Sequence, residues 1–399
     1  MDLHTTLPYP IFQHGSICSY PFLDKNIKTD VVIIGSGITG ALAAWYLTQA
    51  GMKCVVVDKR HVATGSTAAS TSLIQYEIDV PLHQLIKKVG YEAAVRSYQL
   101  CLESISTLKT ICKKISDEEV FEKKCSLQVS SAKKDVRVLE KEFEIRKSLG
   151  YDIDFLSSAQ LQSKFNLKKE AGILSKNAAQ VDAYLITHKL LKAIDKAGNK
   201  VYDHTEIVKI ENRNKGVVLK TGNGSAISAK KLIIACGYES QRYLSKKIEE
   251  IFTTYVILTE PLKQKKLWFD NCLIWETANP YLYMRITNEN RILIGGKDTP
   301  YRQKDPFGLL NKKAIELQKS FQKLFPHLPC KIDFKWAGAF ATIKDGLPYI
   351  GCVPQRPNTY FALGFGGNGI TFSVIAAQII SNHINGKKDD NASLFSFDR

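Results

Sequence analysis

The stretch from Asp30 to Asp58 constrains the fold more than any other part of the chain. A short β-branched run, Val31 to Ile34, has the character of a buried parallel strand. It ends in Gly35-Ser36-Gly37-Ile38-Thr39-Gly40, a G-x-G-x-x-G turn. Gly35 permits the tight strand-to-helix turn, Gly37 lets a pyrophosphate approach the backbone, and Gly40 lets the next helix pack closely on the strand. The Ala- and Leu-rich run Ala41 to Ala50 predicts that helix, closed by Gly51. Its N-terminal N–H groups and positive dipole end face the phosphates. A second apolar run, Cys54 to Val57, ends in Asp58, where a carboxylate is needed to accept hydrogen bonds from a ribose diol. A glycine-rich turn alone would fit many α/β units; strand, helix and terminal acid together predict dinucleotide binding. Asp58 argues against a 2′-phosphate, an argument softened by the adjacent Lys59 and Arg60.

A chain of 399 residues, 44% hydrophobic, supports a large core and two domains. Residues 1–15 lack the pattern of a secretory signal, and no apolar run approaches the ~20 residues that span a bilayer. Nine scattered cysteines without a C-x-x-C predict reduced, mostly buried thiols in a cytoplasmic protein and disfavour a flavin disulfide reductase. The net charge of +16 comes from dispersed lysine pairs, the densest cluster being Lys263 to Lys266. With no basic stripe carrying interleaved aromatics, solvated surface lysines are expected rather than a nucleic-acid partner.

Along the chain, residues 1–28 read as an irregular strap in which Tyr9, Phe12, Tyr20 and Phe22 can be buried. The small and hydroxyl residues from Thr64 to Ser72 suit a segment threading past a bulky ligand. Leu73 to Asp79 alternate as a strand edging the same cavity. Pro81 to Leu149 carry helical spacing, interrupted by a strand at Ser126 to Ser130. Later come a helix at Asp182 to Ala197, a hairpin around Gly222-Asn223-Gly224, a strand from Lys231 to Ala235, and strands between Phe252 and Gly295. A helix is expected from Asp305 to Phe325. Near the end, the strand Tyr360 to Leu363 leads into Gly364-Phe365-Gly366-Gly367-Asn368-Gly369 and an apolar helix, Phe372 to Ile384. This second glycine turn offers another helix N-terminus to an electron-rich group. The pattern divides the chain into a dinucleotide domain (1–80, 171–245, 336–399) and an inserted second domain (81–170, 246–335).

These motifs, in this order, resemble the amino-acid-oxidase-like flavoproteins, the family of D-amino acid oxidase, glycine oxidase, sarcosine oxidase and γ-glutamylputrescine oxidoreductase. The residues carrying the resemblance are the first glycine turn with Asp58, Gly65-Ser66-Thr67, Thr205-Glu206-Ile207, Ala235-Cys236-Gly237, Tyr283-Met284-Arg285 with Gly295-Gly296, Asp345 to Gly351, and Gly364 to Gly369. The resemblance implies an α/β plus α+β architecture: a GR2-type Rossmann FAD-binding domain, and a substrate domain whose antiparallel sheet roofs the flavin. It implies that Asp58 holds the adenosine ribose with Lys59 and Arg60 nearby, and that Thr64, Gly65, Ser66 and Thr67 contact the pyrophosphate, with Ser72 further along the same segment. Ile207 would touch adenine through its backbone. Ala235, Cys236 and Gly237 would border the cofactor, and Gly366, Gly367, Asn368, Gly369, Ile370 and Thr371 would lie at the flavin pyrimidine edge.

It further implies hydride transfer from a C–H beside an amine nitrogen to flavin N5, with O2 or another acceptor reoxidising the flavin. The family's carboxylate-binding arginine, five residues before Asp345, is here Phe340. The arginine and lysine of sarcosine oxidases correspond to Gln75 and Thr371, and their oxygen-activating lysine to Leu293. No cysteine lies near Gly338, where sarcosine oxidases attach FAD, so non-covalent FAD is expected. The substrate side is expected to include Gln75, Tyr76, Tyr283, Arg285, Phe340 and Thr371, with Glu276 as a further candidate and no metal. Arg285 could equally be a structural ion pair, and Tyr76 and Tyr283 ordinary core. The overall pattern is most similar to the γ-glutamylputrescine oxidoreductase branch, so the small-molecule substrate is expected to be an amine or an N-substituted amino acid. A tRNA-modifying flavoprotein of similar fold and a non-catalytic flavin-binding protein are the alternatives.

Overall fold

The structure is a computed structural model that describes all residues except 6, 117–119, 265, 303 and 306. Parts of the expected strap, the first helical stretch, the Lys263–Lys266 cluster and the Asp305–Phe325 helix therefore lie outside the described residues.

Two sheets organise the chain. In the first, the strands run in the order Tyr349–Cys352, Thr359–Leu363, Ala226–Ile234, Ile27–Ile34, Cys54–Val57 and Lys200–Tyr202. The last five are mutually parallel. Val31, Val32 and Ile33 are each 0% exposed, because both faces of the strand are covered. Val31 and Ile33 join one core with the helices, while Val32 and Ile34 join another on the opposite face. The helix Ile38–Gln49 packs between Gly369–Ile384 and Ala183–Lys196 beside this sheet. The hairpin and the strand expected at Lys231 to Ala235 are continuous. Ala226–Ile234 pairs antiparallel with Gly216–Thr221 over its first half and parallel with Thr359–Leu363 over its second.

The second sheet has nine strands and is antiparallel except where Leu273–Glu276 runs alongside Phe121–Val129. Three of its strands fall across the expected segment boundaries. Leu73–Gln75 and Ala171–Val181 pair with each other in this sheet, and Ile332–Ile343 straddles position 335. Long-range backbone pairing decides this membership, and composition carries no trace of it. The expected strand to Asp79 stops at Gln75, since the chain there turns away to reach the second glycine turn.

The leader is partly regular. Tyr9–His14 is a helix, and Leu3 O accepts from Ala339 N at 2.8 Å, covering the Ile332–Ile343 edge. Tyr9 is buried, Tyr20 is half-buried, and Phe12 and Phe22 are 59% and 58% exposed, against expectation. Phe12 instead lies on Phe334 at the surface, with ring centroids 4.7 Å apart. Among the described residues no helix is long and apolar enough to cross a membrane.

Candidate active site

A cavity of about 280 Å³ lies between the carboxyl ends of the parallel strands and one face of the nine-stranded sheet. Ligands of doubly wound sheets bind at that end. At its nucleotide end, Gly35 has φ +109°, and a Cβ there would stand 2.4 Å from Ala235 O. A Cβ on Gly40 would meet Gly35 O at 1.9 Å. Gly40 therefore sits beneath the turn, outside the cavity lining, while Gly35, Gly37, Ile38 and Thr39 line it. Asp58 lines the cavity as well. Its Oδ2 accepts from Ser36 N and Oγ at 2.8 and 2.7 Å, and its Oδ1 from Arg60 N at 2.9 Å. Ser36 is fully buried and orients this carboxylate from below.

Lys59 and Arg60 reach the cavity but are committed to Glu239, at 2.7 and 2.8 Å. Burial raises the Glu239 carboxyl, but the two cations outweigh it and hold it down at about 2. Glu239, in the turn after Gly237, is a residue the sequence argument missed. Gly65, Ser66, Thr67 and Ser72 line the segment that threads past, and Ser66 Oγ is buried there with no hydrogen-bond partner. Thr67 Oγ1 accepts from Ile38 N at 3.0 Å, so it supports the first helix as well. Thr64 is turned off the cavity: its hydroxyl donates to His61 O at 2.6 Å. Ile207, Ala235, Cys236 and Gly237 complete this end. A glycine cradle, an acid at the second strand end and an orphaned hydroxyl fit an FAD.

At the other end, Gly366, Gly367, Gly369 and Ile370 line the cavity. The turn is tied to Asp79, whose Oδ2 accepts from Gly367 N at 2.7 Å and whose Oδ1 accepts from Tyr281 Oη at 3.1 Å. Cβ atoms at Gly366 and Gly367 would stand 2.6 and 2.7 Å from that carboxylate. Gly367 N–H is thus engaged, leaving the first-turn N–H groups from Gly369 onward to face a ligand. Asn368 and Thr371 face a small cavity behind the turn; Thr371 Oγ1 donates to Asn368 O at 2.9 Å.

Overhead, the nine-stranded sheet presents Tyr283, Phe340, Thr254 and Asp298, with Tyr281, Glu249 and Tyr238 beside them and Gln75 on the sheet's last strand. Gln75 Nε2 donates to Ser126 Oγ at 2.8 Å. Tyr283 lies over Gly295, where a Cβ would be 2.3 Å from its Cζ.

Four expected substrate residues, Thr371 behind the turn among them, are not brought to the cavity. Tyr76, adjacent to Gln75, points to the opposite face, fully buried and stacked on Tyr151 at 4.9 Å. Arg285 shares a face with Tyr283 but lies beyond the Ser70–Ser72 segment, in a separate cavity. Its Nε donates to Thr71 O at 2.6 Å, and burial lowers its pKa to about 10. Glu276 is bonded to Lys169 at 2.7 Å. The residues missed are Asp79, Thr254, Tyr238, Tyr281, Glu249 and Asp298. Only Asp79 left a hint, as the acid closing the alternating run after Ser72.

Burial raises Glu249 from 4.5 to about 7, opposed by the bond its Oε1 accepts from Gly364 N at 2.8 Å. The unfolded chain loses this proton near pH 4.5 and the folded chain near 7, so folding loses stability as pH rises between them. Glu249→Gln has no proton to lose and should gain on the wild type across that window. Denaturation midpoints of both proteins against pH test this, and a constant gap would refute it.

One described group, His61, Asp203 and His204, has its candidate metal-ligand atoms within 4.8 Å of one another. The imidazoles lie 3.0 and 2.9 Å from the two Asp203 oxygens, which accounts for the arrangement.

Fold and site together define a dinucleotide-binding flavoenzyme with a sheet-roofed reaction chamber. The profile of the FAD dependent oxidoreductase family (DAO) matches residues 30–383, and the chain belongs to that family. FAD is its cofactor and oxidoreduction its activity. It is 25% identical to the probable oxidoreductase OrdL of Haemophilus influenzae, over 94% of this chain and 87% of that one. It is 24% identical to the γ-glutamylputrescine oxidoreductase of Escherichia coli, over 97% and 90%. Among solved structures, glycine oxidase from Geobacillus kaustophilus superposes with a TM-score of 0.77 at 19% identity, over 91% of this chain and 96% of that one.

Proposed function

We propose that this enzyme oxidises a C–N bond of an amine or an N-substituted amino acid, and that its FAD is held non-covalently. The bound flavin supplies a hydride acceptor at N5. The substrate C–H gives up its hydride, the nitrogen lone pair closes a C=N bond, and water hydrolyses the resulting iminium to a carbonyl compound and an amine. No residue need act as a strong base. The N–H groups at the start of the Gly369–Ile384 helix would face the negative charge that the flavin gains. Cys236 is the cysteine lining the cavity, and burial pushes its thiol up to about 11, which keeps it protonated and unreactive. O2 or another oxidant would take the electrons onward.

The observation that carries this reading is Phe340 in the roof. It is packed on Phe252, with ring centroids 5.8 Å apart, at the place where an arginine would clamp an α-carboxylate. Loss of a bidentate charge-assisted contact costs about 1.5–3 kcal/mol, or roughly 10- to 100-fold in affinity. A longer amine, or an amino acid whose N-substituent is larger than sarcosine's methyl, should therefore reduce the flavin at least ~10-fold more efficiently than glycine, sarcosine or D-alanine. Anaerobic bleaching of the flavin absorption across such a panel tests this. Efficient reduction by D-alanine or glycine would overturn it.

A further inference from the structure

We propose that the chamber selects a substrate bearing a second, positively charged nitrogen, a diamine or longer polyamine, whose remote ammonium is held by Asp298 among Tyr238, Tyr281 and Tyr283. This deepens the amine-oxidation reading and rests on it for the bond that is oxidised.

Asp298 reaches the chamber by a break in strand pairing. The Glu249–Thr259 and Ile292–Pro300 strands shift register between Thr253 and Tyr255, opposite Lys297 with its φ of +61°. Such bulges re-aim side chains. Here the next residue, Asp298, turns into the cavity beside Thr254, whose hydroxyl hydrogen-bonds it. Its Oδ1 is buried and has no partner.

Among the described residues, the charged group within electrostatic reach of Asp298 is another acid, Asp79. Burial raises both carboxyls, Asp298 to about 6. Glu249, 2% exposed, lines the same chamber with an unpartnered Oε2, and Tyr238 lies within reach of both Glu249 and Asp79. Buried acids without a cation are costly, so a ligand that brings the positive charge would complete the site.

A metal ion does not fit: the oxygens of Asp79, Glu249 and Asp298 do not converge within 4.8 Å as the ligand atoms of the histidine group do. The tyrosines fit an ammonium. Tyr281 and Tyr283 have ring centroids 5.6 Å apart at an interplanar angle of 59°, and such faces attract cations. Gly295 leaves the room in which the Tyr283 ring lies. The charge cannot belong to the nitrogen being oxidised, because that nitrogen must offer its lone pair as hydride departs. It belongs to a second nitrogen farther along the chain.

The test uses the FAD-loaded enzyme, reduced anaerobically by diaminobutane and by butylamine. Diaminobutane should be preferred by about 10- to 100-fold, the scale of a charged hydrogen bond. Asp298→Asn should abolish most of that preference, weakening diaminobutane at least ~10-fold more than butylamine while FAD content stays at the wild-type level. Equal losses for both amines, or no preference in the wild type, would overturn the proposal. So would loss of FAD from the variant, which would make Asp298 a cofactor ligand. If no amine reduces the flavin, the oxidation reading fails by itself. The charge assignment is then read from the flavin spectrum on titration with diaminobutane: a shift absent in Asp298→Asn supports it, and no shift in the wild type refutes it.

Discussion

Gly40→Ala protein is expected to be recovered without FAD. A Cβ at position 40 would stand 1.9 Å from Gly35 O, 3.0 Å from Gly35 C and 3.4 Å from Ile33 Cγ2. The first two are backbone atoms of the turn that cradles the dinucleotide, so no side chain can rotate away to make room. Gly35 has little room to retreat either, because the space beside it is so tight that a Cβ there would stand 2.4 Å from Ala235 O. The helix Ile38–Gln49 cannot lift, since Gly369–Ile384 and Ala183–Lys196 pack on it. Overpacking of this kind costs about 1–3 kcal/mol, and concentrated on the binding turn it would weaken FAD by roughly 10- to 100-fold or more. Gly37→Ala should be milder in the absence of cofactor, because its Cβ meets a side-chain atom, Thr67 Oγ1, at 2.9 Å. The ratio of flavin to protein absorbance after gel filtration measures the effect. Stoichiometric FAD in Gly40→Ala would show that the turn does not bind as described.

Arg146→Met should cost about 3–5 kcal/mol of stability, the usual penalty for stranding a buried charge. Arg146 is 1% exposed. Its Nη1 lies 3.3 Å from Glu77 Oε1 and 3.4 Å from Tyr76 Oη. Its Nε lies 3.2 Å from Glu142 Oε1, too poorly aligned for a hydrogen bond. Glu142 has other donors in Leu82 N, at 2.9 Å, and His83, at 2.7 Å. Glu77 does not: its Oε2 has no partner, and burial raises its carboxyl to about 7 even with Arg146 beside it. Without the guanidinium, Glu77 would fold as the neutral acid. The loss should therefore be smaller near pH 5 than near pH 8, since above about 7 the wild-type Glu77 ionises beside Arg146, whereas the variant must keep that proton to stay folded. Adding Glu77→Gln should recover part of the loss. Denaturant titrations at the two pH values measure both effects. A loss under about 1 kcal/mol would mean that the pair stabilises no more than a surface bridge does.

This buried network stands behind the second glycine turn. Glu77 lines the small cavity behind it together with Thr371, Asn368 and Asp79. Tyr76, expected at the substrate, belongs to this network instead. The pleat explains the exchange: Gln75 and Tyr76 are neighbours in sequence, so they point to opposite faces, and the pairing of Leu73–Gln75 with Ala171–Val181 decides which face is the chamber.

The sequence alone determined the nucleotide half. Its instructions are local: a β-branched run, glycines at fixed offsets and an acid one strand later all lie between Val31 and Asp58, and Gly364 to Gly369 repeats the device. Such features depend on backbone sterics and helix-end electrostatics, which travel with the residues themselves. The reaction half was decided by the tertiary structure. Asp298 faces the chamber because a register shift between strands some forty positions apart turns it there, and Arg285 misses the chamber because the Ser70–Ser72 segment crosses in front. Asp79, Tyr281 and Gly367 meet only once two sheets and a turn have come together. Which face of a strand looks at the flavin is a property of long-range pairing, and no window of sequence contains it.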